Sequence, residues 1–331
     1  MRYARSLSPR FVDHLSREPL SQLLQLPELC AQDDDYTLDL QLRAEDRLVV
    51  YHGSMSLLRI EYDNSTNCLS YSANASEDYF NSATGSQELM QSWLESSWSR
   101  TVKMIPEYLL AAISFEKDGY YRNRARGYWL NRLSLTFGSR WCPGMDWLII
   151  DRDAVLSYPN GLERKILFGP IQRKYDVIRD KLKEQDSQKW GEPSPSTFRD
   201  MCDFFALGPG GELLCIELKH GSDTSRICWG GLQAAVHREL FGRTLDQITD
   251  DIKSLVRQKV QLGLLPSQAA ERLPEERFRT VQPILVIAEP NYRSNCWELL
   301  QEVATLCHEA QCSVVEVRND HELVSISRSW Q

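Results

Sequence analysis

Three residues in one short region have the types and spacing to act on a phosphodiester: Asp203 in RDMCDFFALG, and Glu217 and Lys219 in CIELKHG. In a strand, residues i and i+2 share a face. Cys215, Glu217 and Lys219 then point one way, and Leu214, Ile216 and Leu218 the other. CDFFALG (202–208) and ELLCIEL (212–218) read as strands about a PGG turn at 209–211. A hairpin is the economical connection, and it returns Asp203 to Glu217. Two carboxylates at one point suit a hard divalent cation completed by waters and phosphate oxygens. Without a cation they repel, which raises a pKa. The Lys219 ammonium could orient or help deprotonate a water, or offset charge in the transition state. Bound Mg²⁺ would polarise a phosphate and acidify the attacking water. The plain alternative is an exposed edge face with a weak Glu217–Lys219 pair.

The helix expected at 230–242, GGLQAAVHRELFG, adds Gln233 and His237. They are four apart and share a helix face. Gln233 could position a water or phosphate, and His237 could touch substrate or support Lys219. Packing is the competing role for both. Arg226 and Arg238 are candidates for phosphate contact. His220 would face away from Lys219, Gly221 permits a sharp exit from the strand, and Asp223 caps a turn. GPGGE (208–212) lacks the Lys-Ser/Thr of a P-loop and reads better as a hairpin turn.

Asp203 followed by Glu217-Leu218-Lys219 resembles the motif of the PD-(D/E)xK nuclease superfamily, the restriction-endonuclease-like fold. Many members carry a Gln on the next helix, often with a Tyr four residues later; this chain has Gln233 and, at the second position, His237. The best-matching stretch is 199–241, within a resemblance covering roughly residues 112–330. It implies a Mg²⁺-dependent deoxyribonuclease, with Mn²⁺ able to substitute. Asp203 and Glu217 would be the metal ligands, and Asp203, Glu217, Lys219 and Gln233 the catalytic set. The superfamily's remaining acid usually lies on a helix before the core strands. Here helix 119–135 carries no acid, so Glu116 is the first choice. Asp151 and Asp153 in LIIDRDAV are the alternatives, unless they only solvate an edge strand.

These residues need elements to hold them. Alternation over residues 36–73 predicts a small antiparallel sheet. Helices are expected at 86–112, broken at Pro106, at 119–135, and at 171–187 just after Pro170. A strand fits 145–158, with a turn signal at Pro159-Asn160. Past the hairpin, helices are expected at 230–242, 246–263 and 297–310. Strands fit 281–290 and 312–318. The fold class is therefore α/β (α+β overall), with a mixed sheet flanked by helices. The domain division places a β-rich module at 1–100, for recognition or oligomerisation, and the nuclease-like domain at 101–331. GYYRNRARGYW (119–129) mixes Tyr120, Tyr121 and Tyr128 with Arg122, Arg124 and Arg126. It could stack on bases and hold phosphates, or bury its rings and leave its arginines wet. Arg43, Arg47, His52 and Arg59 are spread over the first sheet without a tight cluster.

The 331 residues allow a large core and two domains. A net charge of −8 argues against a general nucleic-acid coat, while 38 Lys and Arg residues leave room for a local basic groove. The nine cysteines show no CxxC pair, which argues against a zinc ribbon or disulfide scaffold. Reduced thiols in a cytoplasmic protein are expected. No apolar run reaches the roughly 18 residues of a membrane span, and the first residues lack a signal-peptide pattern. The expected partner is DNA, single- or double-stranded, with a homodimer or protein partner possible through the first module. The alternative functions are a nuclease-fold binding or scaffold protein with a degraded site, and an interaction module without a nucleic-acid role.

Overall fold

The computed structural model describes residues 1–31, 37–73, 93–116, 126–186, 189–190 and 195–318. The chain folds into two compact units, neither of them a continuous stretch. One comprises Ala4–Met145 and Asp250–Glu271; the other comprises Met1–Tyr3, Asp146–Thr249 and Arg272–Gln331. The expected boundary after residue 100 falls inside the first of these.

In the amino-terminal unit, helices α1 (Pro9–Leu15) and α2 (Leu26–Leu29) precede an antiparallel sheet. Its strands are β1 (Asp39–Arg43), β2 (Arg47–His52), β3 (Met55–Asp63) and β4 (Cys68–Ala73), with the two-residue β5 (Trp93–Leu94) added beside β4. Helices α3 (Trp98–Glu116) and α4 (Arg126–Ser134) follow. Hydrogen bonds explain why these helices go with the sheet. Tyr108 of α3 donates to the Leu57 carbonyl at 3.0 Å, and Asn131 of α4 donates to the Thr37 carbonyl at 2.8 Å. Pro106 lies within α3 rather than breaking it.

The site-bearing unit is built on β6 (Leu148–Ala154), α5 (Gly161–Gln185), β7 (Cys202–Leu207), β8 (Leu213–His220), α6 (Thr224–Ile227), α7 (Gly230–Gln261), β9 (Val281–Ala288), α8 (Cys296–Leu306) and β10 (Ser313–Val317). Strand order is β6-β7-β8-β9-β10. β6, β7 and β8 form an antiparallel meander, and β9 and β10 continue parallel to β8. The mixed α/β class read from the sequence is the observed one.

Two helices differ from expectation. α5 starts at Gly161 because the Asn160 side chain accepts from the Leu162 and Glu163 amides, both at 2.9 Å. The Pro-Asn pair is thus a helix cap, and Pro170 sits in the helix interior. An interior proline costs about 3 kcal/mol or more; burial of Phe168, Ile171 and Tyr175 on the same helix opposes that cost. The helices expected at 230–242 and 246–263 are one, α7. Nothing in Arg243-Thr244-Leu245 breaks it, and the buried Thr244 hydroxyl bonds back to the Leu240 and Phe241 carbonyls. Residues up to Thr249 belong to the site-bearing unit and those from Asp250 to the other. Among the described residues, no helix is long and apolar enough to cross a membrane.

Glycines set how closely the elements meet. Gly211 takes φ +83° in the β7–β8 turn, a region that favours glycine. Gly221, at the exit of β8, has a different reason: a Cβ there would stand 1.8 Å from the Glu289 carbonyl oxygen after β9. Gly230 and Gly231 let α7 start against Leu285 and the Ala310 carbonyl, where a Cβ would come within 2.7 Å of each. Gly221→Ala should therefore destabilise the protein by about 1–3 kcal/mol, as overpacking does. Gly242→Ala, at a helical position with nothing within 4 Å of the added Cβ, should stabilise it by about 0.5–1 kcal/mol. Urea unfolding midpoints test the pair; a neutral Gly221→Ala would show slack at that crossing.

Candidate functional site

The site starts from strand register. β7 and β8 pair Phe204 with Ile216, so the next step sets Asp203 across from Glu217. Directly opposed residues in an antiparallel pair share a face. β8 and β9 then pair Glu217 with Leu285 and Lys219 with Ile287. The hairpin expected from the sequence thus brings the two acids together. Its turn is local: the Gly208 amide donates to the Glu212 carbonyl at 3.0 Å, and the Gly210 amide to the Glu212 carboxylate at 2.9 Å.

Both acids are buried, at 5 % exposure for Asp203 and 6 % for Glu217. Burying charge is unfavourable unless it is compensated. Asp203 Oδ2 accepts the Leu218 amide at 2.7 Å. Glu217 Oε1 accepts from Lys219 Nζ at 2.6 Å. Lys219 is therefore neither a wet edge residue nor remote from the acids. Its side chain is 14 % exposed against 8 % for Glu217, so the pair is largely withdrawn from solvent.

α7 supplies the residues above Glu217. His237 is fully buried, with Nδ1 3.8 Å from Glu217 Oε2. Burial holds its imidazole below the ordinary histidine value, opposed by the Glu217 charge and reinforced by Lys219. Gln233 does not face the carboxylates. Its Oε1 accepts the Arg199 amide at 3.1 Å, and its Nε2 donates to the Arg199 carbonyl at 2.8 Å and lies 2.7 Å from His237 Nε2. One turn on, Phe241 meets Phe205 edge to face at 4.6 Å between centroids, fixing the helix over β7.

The other expected residues are placed as follows. Arg226 is exposed and pairs with Asp223 at 3.7 Å. Arg238 donates to the Glu309 carbonyl at 2.8 Å. His220 bonds Ser222 Oγ through Nδ1 at 2.7 Å. Asp223 precedes α6, where its carbonyl, not its side chain, accepts the Arg226 and Ile227 amides. Glu116 is the last residue of α3, and its side chain lies outside the described part. So do Tyr120, Tyr121, Arg122 and Arg124. Tyr128 is buried edge-on against Trp129, and its hydroxyl accepts from Arg132 at 3.1 Å, so its ring is packed rather than offered to a base. In the other unit Arg43 is buried and bonded to the Leu42 carbonyl and the Tyr51 hydroxyl, while Arg47 pairs with Glu45.

Asp151 corrects the picture of a wet edge strand, while Asp153 keeps 29 % side-chain exposure on it. Asp151 is fully buried, accepting from the Tyr3 hydroxyl at 2.5 Å and the Arg152 amide at 2.9 Å. Tyr3 itself stacks on Phe205 at 4.9 Å. Pairing of Arg152 with Phe204 and Ala154 with Cys202 sets Asp153 across from Asp203. Asp153 has φ +50°, and its carboxylate lies 3.6 Å from Arg152 Nε. Sequence reading missed Tyr3 and the Arg199 backbone. Both are brought in by contacts between residues far apart in the chain.

Mg²⁺ is commonly held through one or two carboxylates, with waters and substrate phosphates completing the shell. The paired Asp203 and Glu217 oxygens fit that donor set. Among the described residues there is no group of three or more His, Cys, Asp or Glu that could hold a metal ion. No family model, no curated protein and no solved structure matches the chain.

The Glu217–Lys219 contact predicts strong coupling. In a double-mutant cycle with Glu217→Gln and Lys219→Met, the interaction energy from unfolding should fall in the upper part of roughly 0.5–3 kcal/mol. Zero coupling would mean that solvent screens the pair.

Proposed function

We propose that this site hydrolyses phosphodiester bonds of DNA with Mg²⁺ as cofactor and Mn²⁺ able to substitute, and that the unit carrying it is a restriction-endonuclease-like domain. One observation supports this reading above the others: Asp203 stands across from Glu217, with the Lys219 ammonium 2.6 Å from the Glu217 carboxylate. These are the motif residues of the PD-(D/E)xK resemblance, and they meet on one sheet face.

In this mechanism Asp203 and Glu217 would hold the cation. Bound there, Mg²⁺ would polarise the scissile phosphate and lower the pKa of the attacking water. Lys219 reaches the same point from the same strand face. Its N–H groups can orient the water, and its charge opposes the negative charge that builds on the phosphoryl oxygens. The Leu218 amide keeps Asp203 turned toward β8. Burial of both acids sharpens these electrostatic effects, since charges interact more strongly where water is excluded. The nine free thiols, six of them buried, accord with a reducing, cytoplasmic setting.

A second reading keeps the fold and gives up the chemistry: a nucleic-acid-binding or scaffold protein with a degraded site. The closed Glu217–Lys219 pair favours it, because it satisfies both charges without any cation.

Cleavage of labelled single- and double-stranded DNA separates the two. With Mg²⁺ or Mn²⁺ the native protein should cut at least one form, and EDTA should stop it. Glu217→Gln should lower the rate about 100-fold or more, and Lys219→Ala should lower turnover by about 100-fold while changing Mn²⁺ affinity less. No cutting of either form with either metal, together with retention of DNA in a gel shift, would establish the binding protein instead.

A further inference from the structure

The Gln233 amide is held in one orientation. Its Oε1 meets a backbone N–H and its Nε2 a backbone carbonyl, both of Arg199. Turning the amide over would set oxygen against oxygen and nitrogen against N–H. The assignment therefore follows from the hydrogen-bond pattern. Of the two Nε2 hydrogens, one goes to the Arg199 carbonyl. The other points at His237 Nε2, 2.7 Å away. A hydrogen on that ring nitrogen would meet it head-on, so His237 Nε2 is an acceptor. A neutral imidazole then carries its proton on Nδ1.

Nδ1 is the atom that faces Glu217, and it has no hydrogen-bond partner. At 3.8 Å from Oε2 it is just beyond bonding reach. Leaving a buried donor unsatisfied is unfavourable. A small movement of Glu217 would remove that cost. The groups acting on the ring are Glu217 and Lys219 on β8, Gln233 on its own helix, Phe241 one turn on, and the Arg199 backbone and Asp200 just before β7.

We propose that Gln233 makes His237 an N–H donor toward Glu217, and that His237 takes hold of the Glu217 carboxylate when Lys219 turns from it to a substrate phosphate. His237 is then a positioning residue. It offers Glu217 a neutral N–H donor from α7 as the lysine leaves. Only the substrate-driven part of this hand-over rests on the hydrolytic reading above; the donor assignment and the closing of the gap do not.

The test is the imidazole ¹⁵N–¹H spectrum of the full chain with labelled histidine, the His237 signals being identified by their loss in His237→Asn. The native protein should show a protonated Nδ1 and an acceptor Nε2. In Lys219→Met, which imitates the departed lysine, the Nδ1 proton should move downfield as its bond to Glu217 forms. A protonated Nε2 in the native protein, or an unmoved Nδ1 proton in a folded Lys219→Met, would overturn the proposal. If the native protein cleaves DNA, His237→Leu should lower turnover about 10–100-fold, the usual effect of losing a group that orients a metal ligand. His237→Asn, which keeps an N–H near the Nδ1 position, should recover part of that loss; equal losses in both variants would also overturn the proposal. If the native protein cleaves nothing, the hydrolytic reading falls, and the spectra still decide the donor assignment and the closing of the gap.

Discussion

Two carboxylates held side by side on adjacent strands, away from water, are the constraint around which the site-bearing unit is arranged. Asp203 and Glu217 repel each other when both are ionised, and neither can turn to solvent. Each is answered by its own strand pair. The Leu218 amide serves Asp203, and Lys219 serves Glu217. Both answers come from β8, within two residues of Glu217. The hairpin is thus the structural core of the region and also its electrostatic compensation. A one-residue slip of β8 would carry Glu217 and Lys219 together to the other face and part them from Asp203.

The close seating of neighbouring elements follows from that arrangement. β8 runs in the middle of the sheet, antiparallel to β7 and parallel to β9. Parallel strands need a crossover connection, and α6 and α7 lie within it. Gly230 and Gly231 bring the start of α7 down onto Leu285 and the Ala310 carbonyl, and Gly221 lets the exit of β8 run against the backbone after β9. With α7 that close, His237 is sealed over Glu217. A looser helix would admit water, and the Glu217–Lys219 pair would weaken as its surroundings became more polar.

The amino-terminal unit shows the same economy with polar groups. β1 is buried along its whole length although it carries Asp39, Gln41 and Arg43. Gln41 bonds Asp39 at 2.7 Å, and Lys259 donates to Gln41 at 2.7 Å. Lys259 lies near the far end of α7, so one continuous helix contributes a buried side chain to each unit. A helix of that length cannot be assigned to one domain by composition, because its apolar residues serve two cores.

The strands, the hairpin turn and the acid–acid–lysine pattern were legible in the sequence because each is local. Period-2 alternation fixes which residues share a strand face, and a glycine-rich turn leaves few ways to connect two short strands. Asp203, Glu217 and Lys219 could therefore be placed together before any coordinates. The course of α7 through residues 243–245 and the start of α5 at Gly161 were less clear, since capping and packing outweighed the breaker signals at Gly242 and Pro170. Tertiary structure alone decided the rest. Tyr3 reaches Asp151 across 148 positions, the Arg199 backbone grips Gln233 across 34, and Asp153 stands across from Asp203. Hydrogen bonds of this kind are set by how a sheet and a helix pack. No residue type or spacing encodes them, because the same side chains would find water in any chain that packed otherwise.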